Sequence, residues 1–552
     1  MQAHDDNGAS SRGSPSLRRA AQWIAALCLL GLQACASLPP PVEQPRSTAI
    51  ADAASTPLAA MLAPRTPSDG RSAFMLQPYG PNALATRLVL AGLATRSLDV
   101  QYYLLRDDDT GLALMRALRD AAQRGVRVRL LVDDFYTAGE DDTLLALAAV
   151  PNLEVRLFNP FPAARGATWT RFAASAFDFS RVNRRMHNKL FVADNVAAVA
   201  GGRNMADEYV MNAQGANFID LDVFAAGPIV RELSAQFDHY WNSAVVYDVR
   251  RIATTRASRA DLLAAFERRS AAARPPEAAQ IPDDGRIQRP DSGEPAQLAP
   301  GLVAMLNLPY ALQRGAPVEL VAAPARVLYD PLTKTTGWNE QQDSLEGTVM
   351  QGVVRWLGGA RQRIKMVSPY FIPSDAAIER LAYAKRSGLD VVLITNSLAS
   401  TDEPFVYFAY WGRVKALLDA GVRIQELSPT YSVERHRLGL FGQRHGALHM
   451  KNAVVDGREI FLGSMNLDPR SAKLNTELGI IIESPELAAQ LDGFADNGSW
   501  YRLRLAPTTH EIEWVHERDD GSEQVLDAPP ETTAWQRLKL RLLGPFIPEK
   551  DL

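Results

Sequence analysis

Apolar and polar positions alternate over Ser97–Tyr103 (SLDVQYY), the pattern of a half-buried strand. The period then lengthens. Over Gly111–Arg124 (GLALMRALRDAAQR) the apolar positions recur at helical spacing, and Gly125 stands where a C-terminal cap is expected. Val126–Val132 (VRVRLLV) returns to strand character. Strand, helix and strand in this order predict a largely parallel sheet with helices packed on it. The same succession recurs later: a strand over Ile364–Tyr370, a helix over Asp375–Arg386 closed by Ser387-Gly388, and a strand over Asp390–Thr395.

Each unit is followed by a nearly identical phrase. The first, RRMHNKLFVADNVAAVAGGRN, spans Arg184–Asn204; the second, HMKNAVVDGREIFLGSMN, spans His449–Asn466. In both, His-x-Lys is followed after four residues by Asp, giving His187, Lys189, Asp194 and His449, Lys451, Asp456. Both then reach Gly-[Gly/Ser]-x-Asn, ending at Asn204 and Asn466. Gly125 precedes His187 by 62 residues and Gly388 precedes His449 by 61, so the duplication covers whole lobes. Asp194-Asn195 and Asp456-Gly457 sit between apolar runs and predict hairpin turns. Strand periodicity puts His187 with Lys189, and His449 with Lys451, on one face.

The rest of the chain frames these lobes. Arg18 and Arg19 precede an apolar run, Ala20–Leu32, too short for a standard membrane span and suited to a signal-peptide core. It ends in Leu32-Gln33-Ala34-Cys35, which resembles a bacterial lipobox and implies lipidation at Cys35. The boundaries expected are a lipoprotein signal peptide over 1–35, a Pro/Ala/Ser/Thr-rich flexible tether over 36–75, lobe 1 over 76–265, a connector over 266–340, lobe 2 over 341–505 and a tail over 506–552. In the tail, Trp535, Leu538 and Leu542 share one helical face, interleaved with Arg537, Lys539 and Arg541. That helix either docks on the domain or lies at a lipid interface.

Composition narrows the chemistry. A net charge of -4 gives no support to a general polyanion binder, and no nucleic-acid partner is expected. The 2 Cys residues, Cys28 and Cys35, both precede the folded part, so no disulfide framework is available to it. Neither motif carries a second His or a Cys at ligand spacing, so neither a metal nor a cofactor is expected. Paired imidazoles and ammonium groups suit a phosphodiester: one histidine attacks phosphorus and the other moves the proton of the alcohol. Lys189, Lys451, Asn204 and Asn466 would hold the phosphoryl oxygens. Asp220 and Glu477, each downstream of a motif, are the expected acids that orient an imidazole, while the turn positions of Asp194 and Asp456 suggest structural work. Arg181, Arg184 and Arg185, with Phe172, Phe177 and Phe179, would form a basic and aromatic entry.

The paired His-x-Lys-x4-Asp phrases resemble those of the phospholipase D superfamily. SLDVQYYLLRDDDTG, GVRVRLLVDD, DFSRVNRRMHNKLFVADN, SPYFIP and GSMNLDPRSAKLNTE are most similar to the bacterial cardiolipin synthase C-like group. The resemblance implies an α/β fold of two duplicated lobes, each a mixed, mostly parallel sheet flanked by helices. The active site would lie at their pseudo-twofold interface. It implies a catalytic set of His187, Lys189, Asp194, His449, Lys451 and Asp456, with His187 as nucleophile and His449 as general acid and base. The implied reaction is phosphatidyl transfer onto phosphatidylglycerol, the donor being phosphatidylethanolamine or a second phosphatidylglycerol. The expected setting is a membrane surface, with the chain acting as a monomer. Lipoprotein sorting would take it to the periplasmic side of the outer membrane. Two alternatives stay open: a phospholipase D that uses water as acceptor, and an envelope nuclease.

Overall fold

The computed structural model describes residues 38–40, 44–288, 295–336, 345–430, 446–495, 500–518 and 520–543. The apolar leader and Cys35 lie outside this range. Among the described residues, two large sheets flanked by helices organise the chain. In the first, the strands run in the order Val321–Ala323, Ser72–Gln77, Asp222–Ala226, Ala197–Gly201, Leu190–Ala193, Ser97–Tyr102, Arg127–Asp133, Leu153–Phe158 and Val246–Asp248. At the centre of the second, Asn452–Val455 neighbours Arg363–Val367, followed by Asp390–Asn396 and Arg423–Leu427. The strands expected from the hydrophobic pattern are therefore present, within a few residues of their predicted ends.

The mostly parallel pairing is not. Parallel neighbours are confined to three central strands in each sheet, and the pairs around them are antiparallel. The reason is connection length. A parallel pair needs a crossover, supplied by helices such as Asp109–Gln123 and Asp375–Arg386, whereas a motif strand followed by a two-residue turn must fold back on itself.

Residues 44–75, expected as a flexible tether, instead pack onto lobe 1. The Arg129 guanidinium donates to the Ser47 carbonyl at 2.9 Å, and the Ala49 amide donates to Asp238 at 2.8 Å. Leu58 and Leu62 enter the core, and Ser72–Gln77 is an interior strand of the first sheet. Low apolar density misled the reading because this segment borrows polar partners from the lobe. The connector likewise divides between the lobes: Val321–Ala323 extends one sheet and Ala325–Tyr329 extends the other. The tail adds Ile512–Glu517 and Glu523–Leu526 to the second sheet before its helix, Ala534–Leu543.

One apolar core runs through both lobes. In Asp390–Asn396, Val392 and Ile394 join the cluster that contains the lobe 1 core, while Val391 and Leu393 face a second cluster on the other side. This is the two-residue period of a strand buried on both faces. A shared core holds the lobes in fixed register, and anything built between them is preorganised.

Candidate active site

The motif hairpins form as their turn residues require. Asp194 and Asn195 have φ of 52° and 54°, and Asp456 and Gly457 have 53° and 63°. These left-handed pairs match the twist of the flanking strands. Each turn aspartate also clamps the chain ahead of the neighbouring parallel strand. Asp194 accepts from the amides of Thr95, Arg96 and Ser97, and Asp456 from those of Arg361, Gln362 and Arg363. Both carboxylates are thus committed to backbone at the turns, while His187 and His449 stand before their strands begin.

The histidines are held from across the interface. His187 donates its backbone N–H to the Thr476 carbonyl at 2.8 Å, and His449 donates to the Ile219 carbonyl at 2.8 Å. Gly446–Leu448 continues this contact as a parallel pair with Asn217–Ile219. The next residue after each accepting carbonyl is an acid. Glu477 Oε2 lies 2.9 Å from His187 Nδ1, and Asp220 Oδ2 lies 2.6 Å from His449 Nδ1. The expected orienting acids are therefore both in place, and each serves the histidine of the opposite lobe.

Both imidazoles, both acids and both lysines are buried. Lys189 donates to the His187 carbonyl at 2.6 Å and Lys451 to the His449 carbonyl at 2.5 Å, which fixes each ammonium beside its imidazole. Burial, then the charges of Lys189 and Lys451, holds His187 well below the ordinary imidazole value. Burial and the same two lysines, with a contribution from His187, do so for His449. Each imidazole feels both lysines, so the four groups form one site. Burial lifts Glu477 to about 7, raises Asp220, and lowers Lys451 to about 8. Both members of each acid–imidazole pair shift toward neutrality, because burial penalises their charges more than pairing restores them. The site thus holds neutral imidazoles beside two lysines that burial also lowers, and an anionic ester there would favour the lysines' charged form.

Asn204 and Asn466 are buried, and the Oδ1 of each has no hydrogen-bond partner among the described residues. Those oxygens are acceptors and call for a donor; toward an anion it is the Nδ2 group of each amide that could donate. The basic entry does not form as expected. Arg185 is fully buried against Asp133 at 2.7 Å, Arg181 pairs with Asp178 at 2.7 Å, and Arg184 donates to the Lys334 carbonyl. These arginines brace the loop that delivers His187.

Other contributors were missed. Tyr103 stands edge-on to His187 at 4.8 Å between centroids, and Tyr209 stands edge-on to His449 at 5.1 Å. Ser464 and Ser471 donate to the two oxygens of Glu477. Asp330 accepts the Glu477 amide and pairs with Lys334 at 2.7 Å, wholly out of solvent. The Gly/Ser alternative inside the motif carried one signal. A Cβ at Gly202 would lie 2.3 Å from Asp220 Oδ1, so only the lobe carrying Ser464 places a side chain beside its acid.

The family described as cardiolipin synthase, PLD-like domain, matches residues 90–241 and 353–497, and each segment holds one motif. Cardiolipin synthase C of Escherichia coli (strain K12) is 37% identical over 469 residues, 84% of this chain and 92% of that protein. An uncharacterized protein of Helicobacter pylori (strain J99 / ATCC 700824) is 27% identical over 87% of this chain and 89% of its own length. The crystal structure of phosphatidylserine synthase from Haemophilus influenzae Rd KW20 superposes with a TM-score of 0.53 at 14% identity, covering 87% of this chain and 93% of that one, and so shares the fold. With one motif in each matched segment, the chain belongs to the phospholipase D-like cardiolipin synthase family.

Proposed function

We propose that this protein is a phosphatidyltransferase that makes cardiolipin through a phosphohistidine intermediate. The observation that carries the reading is the crossed pair of contacts, His187 to Glu477 and His449 to Asp220. With Nδ1 occupied by a carboxylate, Nε2 is the ring nitrogen left for chemistry at each histidine. His187 Nε2 attacks phosphorus of the donor lipid. An N–P bond forms, the P–O bond to the departing alcohol breaks, and His449 gives that oxygen a proton. The glycerol hydroxyl of phosphatidylglycerol then enters, His449 takes its proton, the new P–O bond forms, and His187 is released.

Substrate charge helps set the protonation states. The phosphodiester anion offsets the field of Lys189 and Lys451, raising the proton affinity of His449 at the moment an acid is needed. The lysines and the amides of Asn204 and Asn466 are suited to hold the non-bridging oxygens, where charge accumulates in the transition state. Phosphatidylethanolamine or a second phosphatidylglycerol is the donor in this reading, and the enzyme works at a bacterial membrane. Lipidation at Cys35 on the periplasmic side of the outer membrane belongs to the same proposal.

Purified protein given labelled phosphatidylglycerol, with and without phosphatidylethanolamine, should form cardiolipin. Both His187→Ala and His449→Ala should lose that product. Phosphatidic acid as the dominant product would establish water as the acceptor instead. Degradation of DNA in place of lipid turnover would overturn the reading.

A further inference from the structure

Two exposed apolar features flank the central strands of the sheets. On the helix Ala534–Leu543, Trp535, Leu538 and Leu542 are 61%, 42% and 59% exposed, whereas Leu540 is buried in the core. The helix is therefore docked by one face and turns an apolar stripe outward. Lys539 lies over the Trp535 ring at 5.3 Å, and Arg541 is exposed beside the stripe. A second apolar cluster precedes the first motif, where Trp169 and Phe177 are 75% and 84% exposed.

Both are tied to the carboxyl ends of central parallel strands, the edge on which the histidines stand. Glu531, just before the helix, accepts hydrogen bonds from Ser428 and Thr430, which follow the carboxyl end of strand Arg423–Leu427. Trp169 and Phe177 follow the carboxyl end of Leu153–Phe158. Tyr103, against His187, follows Ser97–Tyr102, and half-exposed Tyr136 meets it at 5.3 Å after Arg127–Asp133.

We propose that the helix Ala534–Leu543 and the aromatic segment around Trp169 and Phe177 form a docking face for an anionic phospholipid bilayer, holding the mouth of the pocket against the headgroups. The inference rests on the lipid-transfer reading of the site. A narrow apolar stripe led by tryptophan and flanked by cations matches an interfacial helix. Its cations suit anionic headgroups although the whole chain is acidic. A second copy fits less well, because a twofold contact would bring two cation-flanked stripes together without supplying an acid to either.

Vesicle sedimentation tests this with the chain from Ala36 onward, the form left after removal of the leader and without Cys35, carrying His187→Ala to stop turnover. Binding to phosphatidylglycerol vesicles should exceed binding to phosphatidylcholine vesicles and weaken at high salt. Adding Trp535→Ser, Leu538→Ser and Leu542→Ser should cut it about tenfold or more. With His187 intact, the same triple change should leave turnover of a short-chain, monomerically dispersed phospholipid unaltered. Unchanged vesicle binding in the triple variant would overturn the proposal, as would equal affinity for both lipids. So would loss of a dimer, seen by light scattering, in place of lost lipid binding. Absence of turnover on the dispersed lipid would count against the transferase, while the vesicle measurement still judges the docking face.

Discussion

Asp220 of lobe 1 holds His449 of lobe 2, with 2.6 Å between Oδ2 and Nδ1. Neither lobe therefore carries a complete acid–imidazole pair of its own. In the proposed reaction the catalytic unit is the interface, held by strand pairing between Gly446–Leu448 and Asn217–Ile219.

The crossing makes a variant in one lobe behave like a variant in the other. Asp220→Asn should cost about 10⁴ in kcat, as expected where an orienting carboxylate fixes the tautomer. It should reproduce the behaviour of His449→Ala. Given a phosphodiester with a leaving group that needs no proton, both variants should accumulate phosphohistidine in rapid-quench experiments. Glu477→Gln should instead resemble His187→Ala and form none. The reverse pattern would make His449 the nucleophile.

Asp194 and Asp456 should report in stability more than in chemistry. Asp194→Ala takes the acceptor from three amides, that of buried Ser97 among them, and puts alanine at a left-handed turn position. Its expected cost is about 2 kcal/mol or more in urea unfolding. Asp456, less buried than Asp194, should cost less. Both variants should keep most of their kcat when assayed well below their unfolding transitions.

The pH profile should show the lysine. Lys451 is lowered to about 8 by burial, and its charged form is the useful one. Hence kcat/KM should fall as the two buried lysines lose their charge, with the fall complete above about 8. In the bound complex the phosphate anion favours the ammonium, so the corresponding limb of kcat should lie at higher pH. Burial also holds Lys189 well below the ordinary lysine value, so Lys451→Arg alone should keep an alkaline limb, while Lys189→Arg and Lys451→Arg together should lose it, because a guanidinium stays charged there.

Glu426 offers a test away from the pocket. It is fully buried, accepts from Trp514 at 2.8 Å and Tyr407 at 3.1 Å, and burial pushes it up to about 7. The folded state keeps its proton while the unfolded chain releases one above the ordinary carboxyl range. Stability should therefore decline as pH rises from about 4.5 to about 7 and level off beyond, a total of about 3 kcal/mol. Glu426→Gln should shrink the difference between denaturant titrations at pH 5 and pH 8 by about that amount, leaving the share of groups such as Glu477.

Local spacing carried much of this protein. The two His-x-Lys-x4-Asp phrases, their hairpin turns at Asp194 and Asp456, and the helices ending near Gly125 and Gly388 all follow from short-range rules of backbone conformation. Such rules act on neighbours in the chain, so they were legible without coordinates. The same rules failed where partners were distant. Ser47 and Ala49 looked like tether because their hydrogen bonds go to Arg129 and Asp238. Arg185 looked like surface charge because its acid, Asp133, is remote in sequence.

By itself, the sequence determined that two equivalent half-sites exist and which side chains each contributes. It also marked Asp220 and Glu477 as the acids. Only the tertiary structure decided that each acid crosses to the other lobe's histidine and that four cationic or titrating groups share one buried field. The physical reason is that pairing across an interface depends on three-dimensional proximity, set here by the common apolar core and by strands joining residues more than two hundred positions apart. No spacing along the chain encodes that distance.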